Sequence, residues 1–236
     1  MTAPCGPETS HVSTVSPPLL RGAMAALSVR LIVVFAKLLT GVRGIWSGSA
    51  PSAQQTVYFA NHTSHGDFVL LWATLPADLR LRTRPVAGQD YWEASRLRRF
   101  IGQDVFKALM IRRDGAGAGP NPVEQMTEAL QAGDSLIIFP EGTRNVGDQV
   151  LLPLKSGLFH LSRQRPEVRL VPVWIENLQR VLPKGMLLPV PLACSVRYGP
   201  ALAIAAEEDK ESFLARARDA LLAQRPEYDR LQEGTA

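Results

Sequence analysis

From residue 56 onward, short apolar runs bounded by polar or glycine-containing segments alternate with stretches whose apolar positions recur at helical spacing. The runs at 56–60, 83–87, 108–111, 135–139, 169–175 and 192–198 are rich in β-branched and aromatic residues and read as strands. Pro85 limits the second of them to an edge or to its own start, because proline offers no N–H to a ladder. The intervening stretches at 68–75, 90–100, 121–132, 156–165 and 208–224 read as helices. The clearest is 121–132, with Asn121-Pro122 at its start, Val123, Met126, Ala129 and Leu130 on one face, and Gly133 after its end. This alternation predicts an α/β fold: a single domain with a largely parallel or mixed sheet flanked by helices.

The first fifty residues follow a different pattern. Residues 1–18 are rich in Pro, Ser and Thr, have no periodicity and read as a disordered tail rather than a signal peptide. Residues 19–46 are apolar but interrupted by Arg21, Arg30, Lys37 and Arg43, and the longest uncharged stretch is Gly22 to Val29. A membrane-spanning helix needs about 20 mostly apolar residues. The pattern therefore predicts an N-terminal amphipathic helix at 19–46 that lies in a membrane interface or packs on the domain, with the main domain following at 47–236.

Composition adds three constraints. The chain of 236 residues is 46% apolar and 20% charged, which suits one globular domain with a full core. It has two cysteines, Cys5 and Cys194, and no zinc-ligand spacing, so a disulfide framework and a structural metal are both disfavoured. The net charge of +4 is unevenly placed: residues 78–113 carry nine basic residues against four acidic ones. Such an excess points to an anionic partner, whether a phosphate-bearing substrate, an anionic membrane surface or nucleic acid. No recognition motif supports nucleic acid.

Four polar clusters follow predicted strands: Asn61–Asp67, Arg112-Arg113, Glu141–Arg144 and Glu176-Asn177. If the strands are parallel, these clusters meet at one rim, where open α/β sheets bind ligands. In the first cluster, His62 and Asp67 are five positions apart. A neutral imidazole takes a proton near pH 7, and a carboxylate fixes its tautomer and supports the imidazolium. A structural reading competes with this one, because Ser64 and Asp67 also fit the S-x-x-D pattern of a helix capping box. His65 beside His62 and Asp67 lacks the spacing of a metal site.

Asn61-His62-Thr63-Ser64-His65-Gly66-Asp67, Met110-Ile111-Arg112-Arg113, Phe139-Pro140-Glu141-Gly142-Thr143-Arg144-Asn145 and Leu170-Val171-Pro172-Val173 occur in this order. Together they resemble the motifs of the glycerophospholipid acyltransferases of the PlsC type, over roughly residues 40–200. The chain departs from the pattern at Arg112, where the family usually has an acidic residue.

The resemblance implies transfer of a fatty acyl group from acyl-CoA or acyl-carrier protein to the sn-2 hydroxyl of lysophosphatidate, giving phosphatidate. It implies no cofactor and no metal, and a peripheral or monotopic location on the cytoplasmic face of a membrane. His62 is then the base and Asp67 its partner. Arg113, Arg144 and Lys155 hold the acceptor phosphate, and Glu141, Gly142 and Thr143 belong to the acceptor-binding motif. Helix N-terminal amides near Ser64 to Phe68 are candidate oxyanion donors. The alternatives are another acceptor (glycerol 3-phosphate or a different lysolipid), a thioester hydrolase using the same pair on water, and a lipid-surface protein without turnover.

Overall fold

The computed structural model describes residues 18–48, 50–111, 121–176 and 193–226. The expected tail therefore lies outside the described residues, apart from Pro18. The described elements in chain order are α1 (Pro18–Thr40), β1 (Arg43–Trp46), β2 (Thr56–Ala60), α2 (Asp67–Thr74), α3 (Ala77–Leu81), β3 (Thr83–Gly88) and α4 (Gln89–Glu93). They continue with α5 (Arg96–Phe100), a π-helical turn (Ile101–Val105), β4 (Leu109–Ile111), α6 (Pro122–Gln131) and β5 (Ser135–Ile138). The last four are α7 (Gly157–Gln164), β6 (Arg169–Glu176), β7 (Ser195–Tyr198) and α8 (Lys210–Ala223).

The strands form one sheet in the order β1-β7-β6-β2-β5-β3-β4. From β6 to β4 every neighbour is parallel, so the ends of β2, β3, β4, β5 and β6 converge as the spacing predicts. β7 returns antiparallel beside β6, and β1 lies parallel to β7. Pro85 is not on an edge strand. β3 pairs with β5 over Thr83–Pro85 and with β4 over Val86–Gly88, so the proline stands at the handover between partners, where its missing N–H is tolerated.

The apolar runs are continuous because both sheet faces are covered. Alternate residues point to opposite sides. Tyr58, Ile137, Val171 and Val173 meet Leu70, Leu71 and Trp72 of α2 and the inner side of α1. Val57, Phe59, Leu136 and Leu170 meet Met126 and Leu130 of α6, Leu158 and Leu161 of α7, and Phe213 and Leu221 of α8. Full burial of each large apolar side chain contributes about 1.5–3 kcal/mol.

Two N-terminal expectations change. The helix stops at Thr40 and Gly41 turns the chain at φ +55°, so 43–46 is not helix but strand β1. The stretch read as preceding the domain thus supplies a strand of its sheet. α1 is also apolar on both sides rather than amphipathic. Val33, Ala36 and Thr40 are buried, yet Leu20, Met24, Leu27, Leu31, Phe35 and Leu38 form an exposed outer stripe, with Leu38 81% exposed. By length and composition, Leu20–Thr40 could cross a membrane in spite of its basic residues, although α1 packs against α2 and the π-helical turn.

The basic segment 78–113 divides in two. Arg80 donates to the carbonyls of Trp72, Ala73 and Leu75 and so closes the C-terminal end of α2. Arg82 donates to Ala53 O, and Arg84 binds Lys107 O and the Asp134 carboxylate. These three arginines are structural. Arg96, Arg98 and Arg99 of α5 are exposed. Arg80→Met should therefore lower the unfolding free energy by about 1.5–3 kcal/mol in urea titrations, as loss of hydrogen bonds from a charged donor does. Arg96→Met should stay within about 0.5 kcal/mol of the parent.

Candidate active site

β2 delivers Asn61 and His62 to the convergent rim. Asn61 is buried; its Oδ1 accepts from Ile175 N (2.7 Å) and its Nδ2 donates to Ile175 O (3.0 Å), which fixes the exit from β2 to β6. The loop then turns into α2, whose first residue is Asp67. Asp67 Oδ2 lies 3.0 Å from His62 Nδ1 and also accepts from Thr63 N (2.6 Å) and Ser64 N (2.8 Å).

The catalytic and capping readings of Asp67 are thus not alternatives. One fully buried oxygen orients the imidazole and accepts from Ser64 N, the carboxylate half of a capping box. The reciprocal half is missing, because Ser64 Oγ accepts from Gly66 N rather than Asp67 N. Gly66, not Ser64, is the N-cap. The amides of Thr63, Ser64, Gly66 and Asp67 are all committed within the loop, so they are not free for an oxyanion.

The bond to Asp67 assigns the proton to His62 Nδ1 and leaves Nε2 as the acceptor. The ring stacks on Phe139, with centroids 4.1 Å apart and planes 19° from parallel. The His62 backbone is held on both sides: its N–H donates to Glu141 Oε1 (2.7 Å) and its carbonyl accepts from Asn145 N (2.7 Å). Among the described residues Asp67 Oδ1 is buried with no hydrogen-bond partner.

Glu141 has a different place from the one expected of an acceptor-binding motif. It is 1% exposed, its second oxygen accepts from Leu152 N (2.8 Å), and it is absent from the cavity wall. Both oxygens hold backbone, so Glu141 ties the β2 loop to the β5 loop. Burial raises its pKa above the usual carboxylate value, against the pull of the two amides. Gly142 turns at φ +73°, and a Cβ there would sit 3.3 Å from Lys155 Cγ. Pro140 O accepts from Lys155 N (2.7 Å), which brings the lysine to the same loop.

A cavity of about 870 Å³ opens on this rim. His62, Gly142, Thr143, Arg144 and Lys155 line its polar side, and Phe68, Val86, Trp92, Met126, Ile138 and Leu158 are among its apolar walls. Of the expected phosphate ligands, Arg144 and Lys155 are therefore present, and among the described residues neither side chain has an ion-pair partner. Arg113 lies outside the described residues, two positions beyond Ile111, which lines the cavity. The site also includes residues given no role from the sequence: Phe139 beneath the imidazole, Asn145 on its carbonyl, and Tyr91, stacked on His65 at 5.2 Å. Phe139 and Asn145 flank Glu141–Arg144 in the quoted motif. Tyr91 had no such signal.

A sequence model described as Acyltransferase matches residues 47–176. The chain belongs to the acyltransferase family. It is similar to a 1-acyl-sn-glycerol-3-phosphate acyltransferase of Limnanthes alba, 29% identical over 159 residues that make up 65% of this chain and 52% of the relative. A protein of the same description from Cocos nucifera is 28% identical over 158 residues, 64% of this chain and 47% of that one. The lyso-ornithine lipid O-acyltransferase of Pseudomonas aeruginosa is 34% identical over 108 residues, 44% of this chain and 36% of that one. The acyltransferase chain thus spans about half the length of the curated relatives it matches first. The crystal structure of the 1-acyl-sn-glycerophosphate acyltransferase PlsC from Thermotoga maritima superposes with a TM-score of 0.63 at 17% identity, covering 87% of this chain and 84% of that one, and shares the fold.

In this acyltransferase, Glu141→Gln presents an amide NH₂ to one of two backbone donors. It should lower the unfolding free energy by about 1–3 kcal/mol. It should also remove a pH slope. A carboxyl raised by burial holds its proton longer in the folded state, so parent stability falls as pH rises from the ordinary glutamate value through the raised one. Unfolding titrations across that window should show the fall in the parent and its absence in Glu141→Gln.

Proposed function

We propose that the chain transfers a fatty acyl group from a thioester donor, acyl-CoA or acyl-carrier protein, to the sn-2 hydroxyl of lysophosphatidate. The observation that carries this reading is the His62 Nδ1–Asp67 Oδ2 contact of 3.0 Å on the wall of a cavity also lined by Arg144 and Lys155. His62 Nε2 takes the hydroxyl proton as the oxygen attacks the thioester carbonyl. Asp67 holds the ring and stabilises the imidazolium. Collapse of the tetrahedral intermediate expels the thiolate, which the imidazolium can reprotonate. The acceptor phosphate sits against Arg144 and Lys155, with Arg113 as a further contributor. The apolar walls take acyl chain. Gly142 and Thr143 shape the turn that presents Arg144.

A second acceptor class has its own support: the Pseudomonas aeruginosa relative is described as acting on a lyso-ornithine lipid. The outer stripe of α1 supports peripheral or monotopic association with a membrane; the cytoplasmic face is the side proposed for it.

The test supplies a labelled acyl thioester with no acceptor, lysophosphatidate, glycerol 3-phosphate or lyso-ornithine lipid. Phosphatidate should form only with lysophosphatidate. His62→Ala should lose about 10²–10⁴ in rate, and Asp67→Asn should fall while still binding acceptor. Unchanged turnover in His62→Ala would overturn the mechanism. Free fatty acid without acceptor would assign hydrolysis, and preference for lyso-ornithine lipid would move the substrate.

A further inference from the structure

α5 has no buried residue. It is nonetheless held firmly. Ser95 caps it by accepting from Arg98 N (3.2 Å), and its C-terminal end runs into the π-helical turn. Gly102 in that turn is packed so closely that a Cβ would lie 2.6 Å from Met110 Cε and 2.9 Å from the Trp92 ring. The rigid element presents Arg96, Leu97, Arg98 and Arg99 outward, with Leu97 67% exposed. Among the described residues neither Arg96 nor Arg99 has an ion-pair partner, unlike Arg84 in the same basic segment. An exposed leucine between unpaired arginines is not a solvent-adapted face.

Its place in the fold adds a second observation. α1 packs on the π-helical turn, and Arg21 of α1 pairs with Asp104 of that turn at 2.8 Å. α1 and α5 thus pack on the same π-helical turn. On its other side α5 reaches the site: the Arg98 guanidinium lies 4.7 Å over the Tyr91 ring, and Tyr91 stacks on His65, three residues from His62. Tyr91 and His65 both line the cavity.

We propose that α5 is a second lipid contact, in which Leu97 enters an anionic bilayer surface and Arg96 and Arg99 bind its headgroup phosphates, so that the cavity mouth beside Tyr91 and His65 is held at the lipid interface. This rests on the membrane association proposed above. The occupant is a lipid surface because α5 shares its supporting turn with a 23-residue helix whose outer side is exposed and apolar, and because its charge complements anionic headgroups.

The test is flotation of the full chain with phosphatidylcholine vesicles and with vesicles in which phosphatidylglycerol replaces part of the lipid. The parent should bind the anionic vesicles more tightly. Arg96→Gln with Arg99→Gln should weaken that binding by roughly fivefold for each arginine, about 25-fold together. Leu97→Ser should weaken binding to both vesicle types, and Lys210→Gln on α8 should change neither. Thermal unfolding should match the parent in every variant, since no buried side chain is altered. Parent-like flotation of the double arginine variant overturns the proposal. So does retained vesicle binding with lost capture of acyl-carrier protein, which would make α5 a protein contact. Flotation does not depend on turnover: a chain that floats as expected but transfers no acyl group would overturn the proposed reaction and leave this contact standing.

Discussion

The site depends on two buried carboxylates whose partners are mostly backbone amides. Glu141 spans from His62 N on the β2 loop to Leu152 N beyond the β5 loop. Asp67 gathers Thr63 N, Ser64 N and the His62 imidazole on a single oxygen. An ionised acceptor makes hydrogen bonds roughly twice as strong as neutral ones. Neither anion is in solvent, so neither can relax without breaking those bonds. Asn145 N on the His62 carbonyl closes the frame from the other side. A base must be held within about 0.5 Å of its working position. In His62, the proposed base, the ring nitrogen is fixed from α2 through Asp67, and the backbone and ring face are fixed from the β5 exit through Glu141, Asn145 and Phe139.

The sheet explains why these groups meet. β2 and β5 are parallel neighbours in register from Val57 opposite Leu136 to Phe59 opposite Ile138. Their exits therefore emerge side by side, and a glutamate three residues past β5 can reach an amide two residues past β2. β6 on the far side of β2 holds Asn61 through Ile175. β7 and β1 run the other way and contribute no loop to the rim described here. Their part is structural. Tyr198 of β7 is fully buried, stacks on Trp46 of β1 at 3.8 Å, and hydrogen-bonds Thr74 Oγ1 and Leu71 O of α2. That seats the helix whose other end is Asp67.

Much of this was legible in the sequence because a parallel sheet covered on both faces leaves continuous apolar runs, and the six predicted strands lie within a few residues of the observed ones. β1 was not legible. Arg43–Trp46 follows a helix of similar polarity, and its only partner among the described residues is some 150 positions later at Ser195–Tyr198. The break in 90–100 came from Ser95, whose cap starts a second short helix where periodicity alone continues the first. Of the site, His62 meets Asp67, and Arg144 and Lys155 line the same cavity as His62. The role of Glu141 could not be read, because carboxylates at the rim and carboxylates sealed beneath it look the same in sequence. The arginines posed the same problem: Arg80 and Arg96 differ only in which carbonyls the fold brings near.

Once the structural arginines are set aside, α5 carries three exposed arginines, and across Tyr91 the cavity wall carries Arg144 and Lys155. Burial and the nearby Arg144 hold the His65 imidazole below its usual pKa, so the ring between these groups is largely neutral near pH 7. A neutral His65 stacks on Tyr91 without repelling the Arg98 guanidinium over the same ring. The stack is therefore a passive strut between α5 and the loop carrying His62. The loop can keep its geometry while the arginines beside it exchange water for headgroups, because Asp67 and Glu141 fix His62 from beneath and the strut meets it only at the rim.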